Sequence, residues 1–283
     1  MKFTKMQGIG NDYIYVNCFR ETVPDPARLS LRISDRHFGV GSDGLVLILP
    51  GDRADFRMRM FNADGSEAEM CGNASRCVAK YVWERGLTRK TDITLETGAG
   101  IKHLHLNIAG DHVSSVRVDM GVPELSPARI PVAPEVLGLR TDAPEVLSAP
   151  LRVDDRVFSV TCVATGNPHC VIFLDDVDSF PLEIWGPKIE NHPAFPRRVN
   201  TEFVRVIDRG HLRMRVWERG SGETLACGTG ACASLTAAVL NGLCDRKAVL
   251  HLNGGDLEIE WQKETGHLLM TGPAEFVFDG EIA

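Results

Sequence analysis

The sequence lacks the features of secreted and membrane proteins. Its N-terminal segment, Met1–Tyr13, contains no apolar signal region. No stretch of the 283 residues approaches the ~18 consecutive apolar residues that a membrane-spanning helix requires. We therefore expect a cytoplasmic protein that has no membrane partner.

Runs of basic residues are also missing. The formal net charge is −7, and the nearest candidate for a basic patch is the pair Arg197-Arg198. Nucleic-acid binding requires a basic stripe or patch on the protein surface. The charge pattern therefore predicts no nucleic-acid partner, while a hydrophobic fraction of 43% is enough to build a sizeable core.

The eight cysteines do not have the C-x2-C spacing of structural zinc sites. The closest local pairs are Cys71 with Cys77 and Cys227 with Cys232. In a reducing compartment we expect free thiols, and we predict no metal. A non-enzymatic redox or metal-binding protein that uses these thiols is an alternative that metal analysis would test.

Two of the cysteines lie in two copies of one sequence pattern, 156 residues apart. The first copy runs from Met58 to Asn73 and the second from Met214 to Thr229. Met, Arg, an aromatic residue, Glu, Cys and Gly recur in register. The same offset aligns three further pairs: Asn11 with Asn167, Asn62 with Glu218, and Gly44 with Asn200. Such a repeat predicts two similar halves related by a pseudo-twofold axis.

Short segments rich in Val, Ile and Phe, bounded by Gly, Asp or Asn, predict many strands in both halves, among them Leu45–Leu49, Arg57–Asn62 and Lys102–Ile108. Helical spacing is rarer, and it predicts helices over Ala27–Phe38, Asn73–Glu84 and Gly230–Leu240. We therefore predict an α+β fold in which each half is a curved, barrel-like sheet around a central helix.

The repeat also predicts the domain boundaries. The N-terminal half would span residues 1–120, with a last strand in residues 274–283 returning to it, and the C-terminal half would span residues 121–273. The active site would lie in the cleft between the halves. Residues 121–150 are rich in proline and are expected to be connecting structure rather than core.

Each repeated cysteine is followed by glycine at the entrance of a predicted helix. The free N–H groups there favour an anion, and they are expected to lower a cysteine pKa. Gly72 and Gly228 let the backbone approach a ligand closely. Cys71 and Cys227 are thus predicted to be an acid/base pair: one thiol removes a proton from one face of a carbon and the other returns a proton to the opposite face, without a cofactor.

Six separate motifs, spread over both halves, resemble diaminopimelate epimerase: Gly8–Asp12, Met70–Asn73, Thr165–His169, Arg198–Glu202, Trp217–Gly220 and Ala226–Gly230. The resemblance implies interconversion of LL- and meso-diaminopimelate, on the route to lysine and peptidoglycan precursors, without a cofactor. It also implies two α/β halves, each a barrel-like sheet around a helix, and a homodimer.

The same resemblance assigns roles to individual residues. It implies Cys71 and Cys227 as the acid/base pair, with His169 and Glu218 tuning their pKa values. A histidine near a strand start is otherwise more often structural, so that role stays open for His169. The implied substrate contacts are Asn11, Asn62, Gly72, Asn73, Asn167, Asn200, Glu218, Arg219, Gly228 and Thr229.

Two positions depart from the family pattern: Gly44, and Ala74-Ser75 after Cys-Gly-Asn, which is expected to alter only helix packing. Many members have Gln after the Asp of Gly-x-Gly-x-Asp, whereas here Asp43 is followed by Gly44, so that contact cannot come from a side chain. An amino-acid racemase of the same fold with a different substrate is the alternative function. Arg219 argues against it, because a guanidinium pairs bidentately with a carboxylate and could hold the distal end of diaminopimelate.

Overall fold

The computed structural model describes residues 1–282 and divides the chain into two compact units. Unit 1 comprises Met1–Asp119 and the C-terminal segment from Thr271, and unit 2 comprises Met120–Met270. Among the described residues, every helix is too short or too polar to cross a membrane.

Unit 1 is built mainly from strands. They are β1 (Lys2–Gly8), β2 (Asn11–Asn17), β3 (Gly44–Pro50), β4 (Phe56–Asn62), β5 (Glu67–Ala68), β6 (Asp92–Thr97), β7 (Gly100–Ala109) and β8 (His112–Gly121). Its helices are α1 (Pro26–Ser34) and α2 (Gly72–Glu84).

Unit 2 contains β9 (Val146–Val153), β10 (Arg156–Ala164), β11 (Pro168–Phe173), β12 (Asn200–Asp208), β13 (His211–Glu218), β14 (Gly222–Thr224), β15 (Lys247–Leu252) and β16 (Gly255–Trp261). Its helices are α3 (Leu182–Glu190) and α4 (Gly228–Leu240), and a 3-10 turn spans Pro134–Leu137. Strand β17 (Leu268–Gly272) begins in unit 2, and its last two residues belong to unit 1. The final strand, β18 (Glu275–Glu281), belongs to unit 1, where it pairs antiparallel with β1.

The two units share one strand order. In unit 1, β1 and β2 are antiparallel, β2 and β3 parallel, β3 and β4 antiparallel, and β4 and β6 parallel. In unit 2, β10 and β11 are antiparallel, β11 and β12 parallel, β12 and β13 antiparallel, and β13 and β15 parallel. Helices α2 and α4 begin at equivalent positions, 156 residues apart. The sequence repeat is therefore a repeat of topology.

Helix α4 is the centre of its unit. Its residues are small and apolar, and nearly all are buried from Gly228 to Ala238. It packs against β10, β11, β12, β13, β15 and β16, as a curved sheet around a helix requires. Helix α2 is likewise buried from Gly72 to Val82 and packs against β1 and β7. The predicted α+β fold of two similar halves is confirmed.

Helix α1 is shorter than the sequence predicts. Asp25 caps its N-terminus by accepting the N–H of Arg28, and Pro26 occupies the first turn. The helix ends at Ser34, because the carboxylate of Asp35 accepts the N–H groups of His37 and Phe38 and folds residues 35–38 into a turn.

The prediction that residues 121–150 lie outside the core is wrong. Ile130, Val132, Leu137 and Val146 are buried in the hydrophobic core of unit 2. Proline removes a backbone donor and prevents regular helices or strands, but it does not stop neighbouring apolar side chains from packing inward. Burial of these side chains makes the irregular segment part of the unit 2 core.

Candidate active site

Cys71 and Cys227 occupy the same position in the two units, directly before helices α2 and α4. Both have extended backbone, with φ −139° and ψ 122° at Cys71 and φ −129° and ψ 106° at Cys227. Neither side chain caps its helix. The first-turn N–H groups of each helix are therefore left to attract an anion near the thiol.

The Cys71 thiol faces an asparagine whose orientation is fixed. Cys71 Sγ lies 3.5 Å from Asn11 Oδ1, and Asn73 Nδ2 lies 3.4 Å from the same oxygen. Asn11 Nδ2 donates to Asp43 Oδ2 at 2.7 Å. Because a carboxylate can only accept, Asp43 turns the amide of Asn11 so that its oxygen points at the thiol.

Asp43 is a site residue that sequence reasoning missed. It also accepts the N–H of Asp12 at 3.1 Å and pairs with Arg36 Nη2 at 2.9 Å. Burial raises the pKa of Asp43, and the nearby charge of Asp12 adds to the rise. The acidic residue follows a glycine-rich turn in the sequence, but nothing local indicates that it reaches Asn11, 32 residues away.

The other predicted contacts of unit 1 lie at the ends of its elements. Asn62 ends β4 opposite Gly44, and its Nδ2 donates to Ser66 Oγ at 3.0 Å. Gly72 is the buried first residue of α2. Asn73 is also buried, and its Oδ1 has no hydrogen-bond partner among residues 1–282. A ligand donor is the natural partner for such an oxygen, because buried polar atoms are normally hydrogen-bonded.

Gly44 leaves no room for a side chain. A β carbon at this position would lie 2.1 Å from the carbonyl oxygen of Phe61 and 2.8 Å from the ring of Tyr13. A substrate contact from a side chain at this position is therefore excluded by the backbone of this chain as well as by its sequence.

The Cys227 thiol of unit 2 is buried and lies 3.4 Å from Thr229 Oγ1. Burial raises the pKa of Cys227 well above its usual range, and the carboxylates of Glu218 and Glu202 raise it further. The prediction that the helix N-terminus lowers the pKa of Cys227 is thus wrong. The hydrogen bonds to the Cys227 thiol favour its charged form, but desolvation and two neighbouring negative charges outweigh them.

His169 lies between a carboxylate and a predicted substrate contact. Its Nδ1 is 2.7 Å from Glu202 Oε1, and its Nε2 is 2.8 Å from Asn167 Oδ1. The side chains of His169 and Glu202 are fully buried. Sequence reasoning did not assign a role to Glu202, although a charged residue within the apolar run of β12 was a visible signal.

Asn200 and Arg219 are joined through the backbone. Asn200 is buried, its Nδ2 donates to the carbonyl of Pro168 at 3.0 Å, and its Oδ1 accepts the N–H of Arg219 at 2.9 Å. The guanidinium of Arg219 is exposed and donates from Nη1 to the carbonyl of Arg197 at 3.0 Å. Asn200 therefore holds the turn from which Arg219 projects.

The remaining residues of unit 2 surround the Cys227 turn. Glu218 ends β13 and accepts a hydrogen bond from Thr224 Oγ1. Thr165 Oγ1 donates to the carbonyl of Thr229 at 2.9 Å, which ties the turn before Asn167 to the start of α4. Gly228 is the buried first residue of that helix. Within residues 1–282, no three His, Cys, Asp or Glu side chains are arranged to hold a metal ion.

Comparison with solved structures supports the fold. A phenazine biosynthesis protein of the PhzF family from Bacillus anthracis superimposes with a TM-score of 0.71 at 17% identity, covering 100% of this chain and 99% of the other. A probable proline racemase from Agrobacterium radiobacter, with bound carbonate, gives 0.69 at 16% identity, covering 100% and 92%. At these identities the similarity concerns the fold alone.

Comparison of sequences is more specific. The family model for diaminopimelate epimerase matches residues 3–126 and 161–277. The diaminopimelate epimerase of Acetivibrio thermocellus is 60% identical over 282 residues, covering 100% of this chain and 98% of the relative. That of Agathobacter rectalis is 58% identical, covering 100% and 99%. With two equivalent Cys-Gly helix entrances in its structure, the chain belongs to the diaminopimelate epimerase family.

Proposed function

We propose that this enzyme interconverts LL- and meso-diaminopimelate, with Cys71 and Cys227 acting on opposite faces of one α-carbon. The observation that carries the proposal is the equivalence of the two cysteines, each of which directly precedes a buried helix in units of one topology. Membership of the diaminopimelate epimerase family supports the reaction and the substrate.

The reaction requires stabilisation of negative charge, because an amino-acid α-proton is weakly acidic. We assign this task to the first-turn N–H groups of α2 and α4, which would face the α-carboxylate. Gly72 and Gly228 are buried at these helix starts and present backbone rather than side chain. No cofactor is needed in this scheme.

The two thiols must differ in protonation at the start of each turnover. The raised pKa of Cys227 favours its neutral thiol. In the first direction, Cys71 as thiolate removes the α-proton, and Cys227 gives its own proton to the opposite face. Cys71 then holds the proton and Cys227 is the thiolate, which is the state that the reverse reaction uses.

Recognition of the distal end of the substrate is assigned to Arg219. Its exposed guanidinium offers a fork of donors to a carboxylate, and Asn200 holds its backbone. We further propose His169 and Glu218 as the residues that tune the cysteines. The other proposed contacts are Asn11, Asn62, Gly72, Asn73, Asn167, Asn200, Glu218, Gly228 and Thr229.

The cellular setting follows from the reaction. We propose that the enzyme is a cytoplasmic homodimer that serves lysine and peptidoglycan-precursor synthesis. The family membership supports the biosynthetic role. Size-exclusion chromatography with light scattering tests the dimer, and a monomeric mass at micromolar concentration would refute it.

The test of the reaction is incubation with LL-diaminopimelate in deuterated water, followed by mass and chirality analysis. We expect meso product that carries solvent deuterium. Cys71→Ala and Cys227→Ala should lose epimerisation, while Cys18→Ala should retain it as a control for a free thiol outside the site. An Ala variant with near-normal turnover in both directions would refute the two-base assignment. Turnover of alanine alongside diaminopimelate would favour the related-racemase alternative.

A further inference from the structure

Glu202 is a fully buried carboxylate whose role the proposed mechanism leaves open. It lies on β12, beside Val171 of the parallel strand β11. One oxygen, Oε1, is 2.7 Å from Nδ1 of His169. The other, Oε2, has no hydrogen-bond partner among residues 1–282. A buried carboxylate with an unsatisfied oxygen costs stability, so packing alone does not explain it.

The internal repeat supplies a comparison within the same molecule. The residue equivalent to Glu202 in unit 1 is Val46, which lies on β3 beside Tyr15 of the parallel strand β2 and is also fully buried. The same strand geometry is thus built with an apolar side chain. The carboxylate of Glu202 is therefore not a requirement of the fold.

The two units also differ at the helix that follows each repeated cysteine. Position 230, in the first turn of α4, is glycine, whereas the equivalent residue of α2 is Ala74, which is buried. A β carbon at Gly230 would lie 2.7 Å from Glu202 Oε1 and 3.3 Å from Cys227 Sγ. The carboxylate and the thiol therefore flank the same point, and the carboxylate occupies the space that a methyl group would need.

Glu202 begins a chain of hydrogen bonds that reaches a predicted substrate contact. Its Oε1 lies 2.7 Å from His169 Nδ1, and His169 Nε2 lies 2.8 Å from Asn167 Oδ1. In unit 1, the equivalent Asn11 is held directly by Asp43 instead. Both units therefore orient one asparagine by means of a carboxylate, although the carboxylates come from different positions.

We propose that Glu202 is a positioning residue for epimerisation, which orients His169 and through it Asn167, and places a negative charge beside Cys227. The proposal rests on the epimerase activity proposed above. It adds a chemical difference between the two units, because Val46 and Ala74 supply no such charge in unit 1.

The titratable groups that interact with Glu202 come from three elements. They are His169 and Cys170 on β11, Glu218 on β13, and Cys227 before α4. Burial raises the pKa of Glu202, whereas the hydrogen-bonded His169 opposes the rise. Glu202 and Glu218 both raise the pKa of Cys227. Removal of the Glu202 charge should therefore make the Cys227 thiolate easier to form.

Two variants test the proposal. Glu202→Gln keeps the shape of the side chain and removes its charge. The double variant Glu202→Val with Gly230→Ala reproduces the residues that unit 1 carries at the equivalent positions, so it should pack. For each we would measure kcat and KM in both directions, the thermal midpoint of unfolding, and the pH midpoint of Cys227 alkylation by iodoacetamide, followed by peptide mapping.

We expect both variants to remain folded and to lose up to about 100-fold in kcat, with a smaller change in KM, because a small misplacement of a catalytic group can cost about 100-fold in rate. The midpoint of Cys227 alkylation should move to lower pH in both. Glu84→Gln, which alters a partly buried carboxylate in unit 1, should leave that midpoint unchanged.

Native kcat in Glu202→Gln would overturn the proposal. An unchanged pH midpoint of Cys227 alkylation in that variant would also overturn it. A loss of activity that is fully explained by a lowered unfolding temperature would do the same. The alkylation assay needs no substrate, so it tests the charge of Glu202 beside Cys227 independently of turnover. Failure of the native enzyme to epimerise diaminopimelate would refute the proposed function, and the alkylation result would still report on Glu202.

Discussion

Gly230→Ala is the substitution whose outcome the structure determines most sharply. Alanine is preferred over glycine inside a helix by about 1 kcal/mol, so propensity alone predicts stabilisation. The equivalent residue of α2 is Ala74, which shows that the helix geometry accepts a methyl group at this place. The new β carbon, however, would lie 2.7 Å from Glu202 Oε1, which is closer than real contacts allow.

The carboxylate would have to move, and its burial leaves it no alternative partner. Its hydrogen bond with His169 would be lost, at a cost of about 1.5–3 kcal/mol for a bond to a charged group, with more if the charge stays unpaired. Set against the gain of about 1 kcal/mol in helix propensity, the net destabilisation is about 0.5–2 kcal/mol, and more if the charge stays unpaired. For domains of this size, that lowers the unfolding temperature by roughly 1–8 °C.

The activity should fall further than the stability does. A shift of about 1 Å in a catalytic group can cost about 100-fold in rate, and both Glu202 and Cys227 border the added methyl group. The assays are calorimetry and epimerisation in deuterated water. Addition of Glu202→Val to the variant should restore the unfolding temperature but not the activity. Native stability and native kcat in Gly230→Ala alone would refute the reasoning.

Four further outcomes are expected. Gly44→Ala should lower the free energy of unfolding in urea by at least about 1–3 kcal/mol, because its methyl group would overlap a neighbouring carbonyl; an unchanged urea midpoint would contradict this. Asp43→Asn should reduce kcat, because the orientation of Asn11 is no longer enforced, while Asp43→Ala should do the same without large unfolding. Burial raises the pKa of Cys77 from 9.0 to about 11. The stabilisation that the neutral Cys77 thiol gives the folded state is therefore complete below about pH 9 and is lost towards pH 11, a loss of roughly 3 kcal/mol. Urea titrations of Cys77→Ala should show a free energy of unfolding that depends less on pH over this range. Arg219→Lys should raise KM for diaminopimelate more than it lowers kcat, because lysine keeps the charge but loses the two-donor guanidinium fork. Equal KM values for the native protein and Arg219→Lys would reject a role of Arg219 in substrate binding.

The sequence by itself determined the features that depend on local chemistry. Short segments rich in apolar residues and bounded by turn formers located strands such as β3, β4 and β7, and helical spacing over Asn73–Glu84 located α2. The repeat identified Cys71 and Cys227 as equivalent, because an internal duplication preserves order along the chain. Helix α3 was missed, because Pro187 and mixed polarity hide its period.

Only the tertiary structure decided which distant residues act on one another. Parallel pairing of β11 with β12 brings Glu202 to His169, and packing of α4 brings its first turn to the same carboxylate. That packing reverses the pKa shift expected for Cys227 at a helix entrance. Desolvation and Coulomb interactions depend on distance in space, and the spacing of residues along the chain does not contain that distance.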